Sequence, residues 1–479
     1  MILDYYFKAK LIMNQVEKVM APSTADVVIC GAGIAGISTA YHLAVKCGVK
    51  DIVLVDERPP LSLTSDKSTE CYRNWWPGPG DAMVGLMNRS IDILEDLAHE
   101  SGDVFNLNRR GYFFVTANPD RIHDFIVHAE EAADLGAGPV RYHTGNPDDP
   151  PYHPAPTSGF EDHLIGADLI TNTDLIREHF PYLSEETVAV VHARRCGWFS
   201  AQQLGIYLLN RARENGVKLT EARVEAVDVT KNRVQAVRLG GGEGPTKIAT
   251  HNFVNAAGPF LKPVGQLVGT DLPVFSELHA KIAIKDSIGV FPRGAGLLIW
   301  ADPQFLPWTE EERSLLAEDE ETSFMLDQFP HGVHARPDGP PDSPIVLILW
   351  TYDTNPVEPF FPLNFDPYRP EIVLRGLATM IPSLKDYFGR APKPFVDGGY
   401  YTKTRENRPL VGPLGVEGSW VIGALSGFGL MASLACGELL AAHISRNDLP
   451  PYAPWFLVER YEDSKYKELL HNWGDIGQL

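Results

Sequence analysis

The stretch that most constrains this chain is residues 26–58, DVVICGAGIAGISTAYHLAVKCGVKDIVLVDER. An apolar run at 27–30 reads as a buried parallel strand and leads straight into Gly31-Ala32-Gly33-Ile34-Ala35-Gly36, a G-x-G-x-x-G turn. A helical pattern follows over 34–46, and a second apolar strand at 52–55 ends in Asp56-Glu57-Arg58. The three glycines serve different physical needs. Gly31 permits the tight turn, Gly33 lets a pyrophosphate approach backbone N–H groups, and Gly36 allows close helix–strand packing. The positive end of the helix, at Ile34 and Ala35, faces the phosphates. Asp56 or Glu57, about twenty residues past the last glycine, is placed to accept from ribose hydroxyls. Strand, turn, helix, strand and acid occur in register, so an adenine dinucleotide is expected here.

The other chain-wide properties narrow the reading. A chain of 479 residues allows two or three domains. A formal net charge of −20 argues against nucleic acid or an anionic membrane as partner. Part of that excess is local: residues 309–327 carry eight acids against one Arg, and read as a solvated helix face within an insertion. Cys30, Cys47, Cys71, Cys196 and Cys436 are scattered without a C-x-x-C pair, which points to a reducing compartment and to no metal site. No window approaches eighteen consecutive apolar residues, so no membrane span is expected. The first twenty residues carry charges throughout and lack an unbroken apolar segment, so they read as an amphipathic extension rather than a secretory signal. A cytoplasmic location is expected.

Along the chain, the spacing predicts helices over 81–101, 119–135, 201–215, 374–381 and 433–444. Strands are expected at 111–116, 218–229, 233–239, 248–255, 282–284, 297–300, 345–352 and 420–422. Residues 136–163, rich in Gly, Pro, Asp and His, read as an irregular surface excursion. Nucleotide-domain patterns at both ends and in the centre imply a discontinuous domain with a second sheet inserted.

At this point the chain resembles the D-amino-acid oxidase and sarcosine oxidase superfamily of FAD-dependent amine oxidoreductases, over about residues 26–445. The resemblance rests on the Gly31 unit, TSDKSTECYR (64–73), GWFSAQQL (197–204, with Ala201 where Pro is usual), NAAGPF (255–260), YTKTRENRPLVGP (401–413) and ALSGFGLM (424–431). It implies an α/β fold: a Rossmann-like FAD-binding domain, discontinuous over 25–105, 165–275 and 395–450, with an inserted antiparallel-sheet substrate domain over 106–164 and 276–394. An extension at 1–24 and a tail at 451–479 complete the expected layout. By the resemblance, Gly31, Gly33, Gly36 and Asp56 hold the ADP half, with Arg58 close by. Lys67, Ser68 and Thr69 approach the pyrophosphate or flavin, Val224 meets the adenine through its backbone, and Ala257 and Gly258 line the cofactor. Gly427, Phe428, Gly429, Leu430 and Met431 form the closing turn, whose N–H donors can stabilise charge on the reduced flavin.

Departures from the family pattern carry expectations too. Gly399 stands where many relatives have the Cys that tethers FAD, so FAD is expected to be non-covalent. Met431 and Phe428 replace a Lys and a His of the closing turn, and Ile348 aligns with an oxygen-activating Lys. Arg73 aligns with a carboxylate-binding Arg, and Tyr401 with a substrate contact. Arg73 could instead make a structural ion pair or stack beside Trp75 and Trp76. Trp350 and Tyr352 could wall a pocket or fill a core. His279 and Lys281, alternating on one strand face, could face the flavin or belong to an ordinary sheet surface.

The expected activity is oxidation of a C–N bond in an amino acid or in a secondary, N-alkyl or cyclic amine. The electrons would pass to oxygen or another acceptor, with dehydrogenase behaviour favoured. A 2-hydroxy-acid or polyol dehydrogenase of the same superfamily is the alternative within enzymes, and a non-catalytic electron-relay subunit the alternative outside them. Residue patterns say nothing of oligomeric state.

Overall fold

The computed structural model describes residues 22–76, 78–241, 247–471 and 473. The expected extension therefore lies almost wholly outside the described residues, and most of the expected tail lies within them. The described residues form two compact units. The first comprises those of Met1–Ser65, Gln202–Ser276 and Tyr401–Gln478; the second comprises Asp66–Ala201 and Glu277–Tyr400. The architecture is mixed α/β.

In the first unit, β1 (Val27–Cys30), helix α1 (Ile34–Tyr41) and β2 (Ile52–Asp56) follow the expected order. They belong to a six-stranded sheet running, in space, Leu410–Pro413, Ser419–Gly423, Phe253–Asn255, β1, β2, Lys218–Glu221. All neighbours are parallel except the first pair. Strands buried on both faces need near-continuous apolar side chains, and VVIC and IVLV supply them. After β1 the chain pairs β2 on one side and later returns to Phe253–Asn255 on the other, so the carboxyl end of β1 is a topological switch point.

Two expected strands turn out to change sheets. The stretch 218–229 breaks at Ala222: Lys218–Glu221 joins β2, while Arg223–Thr230 enters a three-stranded antiparallel sheet. Residues 248–255 divide likewise into Lys247–Ala249 and Phe253–Asn255. The Ala222 amide donates to the carbonyl of Asp56, which ties the first corner down.

The second unit is built on a nine-stranded sheet in the order Phe395–Lys403, Phe275–Lys285, Ile345–Leu349, His334–Asp338, Leu297–Trp300, Tyr112–Thr116, Ala189–Ala193, Ala167–Ile170, Val140–His143. It is not the wholly antiparallel sheet expected. Tyr112–Thr116 with Leu297–Trp300, and Val140–His143 with Ala167–Ile170, run parallel, each pair joined by a long crossover. Side chains alternate between two cores. Ile282, Ile284, Val346, Ile348, Ala335 and Leu298 face helix Arg369–Met380, while Tyr112, Leu297, Ile299 and Leu169 pack with Phe125 and Ala129 of helix Arg121–Ala132.

The sequence expectation placed 66–105 and 165–201 in the cofactor domain, whereas the second unit holds them. The reason is pairing: Cys71–Arg73 pairs with Cys196–Trp198, and Ala167–Ile170 and Ala189–Ala193 enter the large sheet. The excursion at 136–163 is also not merely superficial. It begins with an edge strand and buries Tyr152 and Phe160. His143 bridges the carbonyl of Pro150 (3.0 Å) and Asp168 (2.9 Å). The acidic insertion does form a solvated helix, Glu310–Glu318, opened by a Thr309/Glu312 capping box and burying none of its residues.

The stretch Ser426–Ser445 is long and apolar enough to cross a membrane by length and composition. In the first unit it is a core helix, with Ser38 Oγ of α1 donating to Ser433 O at 2.8 Å.

The segment after 450 docks on the loop after Lys403. Glu406 Oε1 accepts from Arg460 Nε (3.1 Å) and Nη2 (2.7 Å), Tyr461 Oη (2.7 Å) and Tyr466 Oη (2.9 Å). Burial would raise the Glu406 carboxyl, but Arg460 and the tyrosine donors outweigh it and hold the pKa below the usual value. Arg408 lies over Trp455 and Trp473, 5.1 and 4.6 Å from their centroids. Both members of the Arg460–Glu406 pair are buried, so Arg460→Met leaves an uncompensated carboxylate. It should cost about 3–5 kcal/mol in urea unfolding, and a loss below about 1 kcal/mol would contradict that account.

Candidate functional site

In the first unit the structure gathers nearly all the residues expected to hold an ADP moiety. Gly31 has φ +111, and a Cβ there would lie 2.3 Å from Ala256 O, so only glycine lets this turn rest on the neighbouring strand end. A Cβ on Gly36 would come within 1.9 Å of Gly31 O. Gly33 is the extended N-cap of α1, and the helix begins at Ile34, with Ala35 and Gly36 in its first turn. Ala257 and Gly258 follow the strand end that abuts Gly31, and Asn255 Oδ1 accepts from the Ala257 amide at 3.3 Å.

Asp56 accepts from the backbone of Ala32 through Oδ2 (2.7 Å) and of Arg58 through Oδ1 (2.9 Å). Burial raises its pKa, against the pull of those two amides. The carboxylate therefore fixes the turn as well as marking the end of β2. Glu57 lies 3.9 Å from Arg58 and 3.7 Å from Arg223, beside Val224. Ser65, which the sequence reading passed over, accepts from the Ile34 amide at 3.0 Å and so sits on the N-terminus of α1. Its signal was present in the Ser/Thr-rich loop.

The closing turn also belongs to this unit. Ala424 (φ +52) and Ser426 (φ +50) are both in the left-handed region, a strained geometry for residues with a Cβ. Ser426–Phe428 makes one tight turn, and helix Gly429–Ser445 follows, one turn longer than expected at its start. Gly427 lies in that turn and Gly429 opens the helix, while Phe428, Leu430 and Met431 are buried. Tyr401 is likewise buried. These features fit a dinucleotide: a glycine turn packed backbone on backbone, a helix N-terminus, and a second helix start in one unit.

The remaining expected residues lie in the second unit. Lys67 is engaged by Asp397 (2.9 Å) and Asp66 (3.1 Å). Ser68 Oγ accepts from the Glu70 amide at 3.0 Å, and Thr69 O accepts from Arg336 Nε at 2.6 Å. Arg73 is buried with its guanidinium 4.4 Å from the Trp76 ring centroid, and burial lowers its pKa. Of the arrangements open to Arg73, the structure shows the one against Trp76. Trp350 is core, and His279 is buried between Glu277 (3.1 Å) and Thr351 (3.0 Å). Ile348 faces the core helix, on the opposite side of the sheet from Lys281, so it is not on that face at all.

Sequence reasoning missed Glu70 and Arg336. Glu70 is a left-handed residue (φ +58), and burial pushes its carboxyl up to about 7 against Arg336 and Lys281. Its ordinary value is 4.5, so the folded state holds an extra proton between pH 4.5 and 7. Stability from this group is complete below that window and is lost as pH rises through it. Glu70→Gln should therefore raise Tm relative to wild type above pH 7 and leave it unchanged below pH 4.5. Parallel Tm–pH curves would show that Glu70 is not the titrating group.

The family model for FAD dependent oxidoreductases (DAO) matches residues 26–443. Human mitochondrial dimethylglycine dehydrogenase is 25% identical over 459 residues, covering 93% of this chain and 46% of that protein. The chain thus spans about half the length of the curated relatives it matches. Mouse mitochondrial sarcosine dehydrogenase is 32% identical over 105 residues, 22% of this chain and 11% of the relative. Among solved structures, L-proline dehydrogenase from P. horikoshii superposes with a TM-score of 0.69 at 19% identity, covering 92% of this chain and 98% of that one. Glycine oxidase from Geobacillus kaustophilus gives 0.67 at 16% identity, covering 91% and 99%.

Proposed function

This chain belongs to the FAD dependent oxidoreductase (DAO) family, and we propose that it oxidises a C–N bond of an N-alkylated or cyclic amino acid. The observation that carries the reading is the match to dimethylglycine dehydrogenase along 93% of the chain. Bound FAD would supply the acceptor for a hydride from the substrate carbon. The substrate would be left as an iminium ion, to which water adds with release of a proton: an N-alkyl amino acid then yields a carbonyl compound and the shorter amine, and a cyclic one opens to a single amino-carbonyl product.

The two units divide the work in this reading. The first holds the cofactor through the Gly31 turn, Asp56, Ser65 and the closing turn. The second supplies the substrate groups, with Arg73 as the cation for a carboxylate. A guanidinium already desolvated and held against Trp76 gives a strong, oriented hydrogen-bond donor. Met431 and Phe428 make the closing turn apolar, which favours a substrate bulkier at nitrogen than glycine or sarcosine.

FAD is held without a covalent bond in this reading, because Gly399 offers no side chain to attach it. Acid precipitation should leave the yellow colour in the supernatant; a yellow pellet would contradict it. We assign the reoxidation step to an acceptor other than oxygen, and stopped-flow mixing of the reduced protein with air-saturated buffer should show slow reoxidation.

The substrate reading is tested by anaerobic flavin bleaching across a panel of amines. N-alkyl and cyclic amino acids should reduce the flavin faster than glycine. Arg73→Met should weaken every carboxylate-bearing substrate by roughly 2–3 kcal/mol while sparing amines without a carboxylate. Uniform loss across both groups, or no loss, would make Arg73 structural and remove the amino-acid reading.

A further inference from the structure

Three arginines of the second unit meet at one end of its nine-stranded sheet. Arg110 lies just before the strand Tyr112–Thr116, and Arg293 just before Leu297–Trp300. Those strands run parallel with Leu297 opposite Tyr112, so the segments leading into them enter from the same end. His334–Asp338 runs antiparallel to Leu297–Trp300 with Ala335 opposite Leu298, which carries Arg336 to that end as well. The strand Cys196–Trp198 closes the group, because the Asn108 and Gly111 amides donate to the carbonyls of Trp198 (3.1 Å) and Cys196 (2.9 Å). The Trp198 ring has the Arg110 guanidinium 5.0 Å from its centroid and that of Arg336 at 5.1 Å. Arg110 Nη1 in turn donates to the Arg293 carbonyl at 3.0 Å.

The charges in this group do not balance. Among the described residues, Arg336 alone of the three makes an ion pair, with Asp338 at 2.7 Å and Glu70 at 3.6 Å. Arg293 directs its donors to the carbonyls of Ile345 (2.7 Å), Asp338 (2.9 Å) and Pro340 (3.4 Å), and Arg110 directs Nη1 to a carbonyl too. A carbonyl satisfies a donor without cancelling its charge. Burial lowers the Arg110 pKa, and Arg293 and Arg336 lower it further. Two more acids act on Arg293 from beyond ion-pair reach. Asp286 already accepts from the Gly289, Val290 and Phe291 amides and from Tyr387 Oη, and Asp342 is exposed. Arg110, Arg293 and Trp198 are only half-buried, and Gly294 beside them is exposed, so solvent reaches the group. Two guanidiniums without a counter-charge suit a dianion better than a single carboxylate, and their planar forks match phosphoryl oxygens.

We infer that Arg110, Arg293 and Arg336, held around Trp198, form an oxyanion site for a phosphate group, carried by free phosphate or by a small phosphate ester. The site uses none of the residues assigned above to cofactor or substrate, and it stands independently of that reading.

Calorimetric titration of the FAD-loaded protein with inorganic phosphate, at constant ionic strength, tests it. Wild type should bind phosphate saturably, whereas added chloride should give no saturable heat. Arg110→Met and Arg293→Met should each weaken phosphate about tenfold or more, and Arg110→Lys, which keeps the charge but not the fork, should weaken it less. Ribose 5-phosphate tells the sources apart: binding tighter than phosphate marks an ester, and weaker binding marks the free ion. Absence of saturable binding by both, or phosphate binding unchanged in either methionine variant, overturns the site. Should the variants not accumulate as folded protein, phenylglyoxal labelling of wild type, mapped by peptide mass spectrometry, decides. Slower labelling of Arg110 and Arg293 in phosphate supports the site, and unchanged labelling overturns it.

Discussion

The first unit depends on a contact with no room for a methyl group. The turn after β1 lies so close to Ala256 that a side chain at Gly31 would occupy the same space as that carbonyl. Gly36 is pressed as closely against the turn from the helix side. This closeness lets Phe253–Asn255 and β2 flank β1 while α1 begins directly over the strand end. The Asp56 carboxylate then secures the turn through the Ala32 amide, and Ser65 caps the helix start. Backbone packing, rather than any one charged side chain, shapes the turn at which we propose that a dinucleotide lies.

The second unit solves a different problem. A wide mixed sheet covered by helices on both faces offers a stiff platform, and buried cations use it to shape the loops laid across it. Lys281 donates to the carbonyls of Asp66 and Ser68, while Arg336 divides its donors between the Thr69 carbonyl and the Asp338 carboxylate. Glu70 is the compensating acid, and its raised pKa follows from sharing their buried surroundings.

The parts legible in sequence were those with local grammar. The Gly31 unit reads directly because its strand, turn, helix, second strand and acid follow one another within about 30 positions. The helix at 82–101 follows from its apolar spacing, and the solvated acidic helix at 310–318 from its run of charges. The changes of sheet at Ala222 and near Thr250 were not legible, because an apolar run looks the same whether its two halves share a sheet or not. Tyr152 was hidden in a Pro- and Asp-rich stretch whose composition suggests a surface loop; its partner His192 is distant in sequence. Arg336 gave no signal for the same reason: a charged residue between Ala335 and Pro337 looks like a strand surface until the loop it holds is seen.

The interleaving of the two units bears on how the protein is made. The parallel sheet that carries the Gly31 turn takes strands from the start, the middle and the last fifth of the chain. While a ribosome is still working on the second large segment, Phe253–Asn255 has β1 on one side and no neighbour on the other. Its edge stays open until Ser419–Gly423 emerges. The helix that covers α1 emerges later still. The nascent chain therefore holds an exposed parallel edge and an uncovered apolar helix through much of translation, the state in which chaperones are most needed. The tight turn at Ser426–Phe428 likewise cannot form until all the sequence before it has been made.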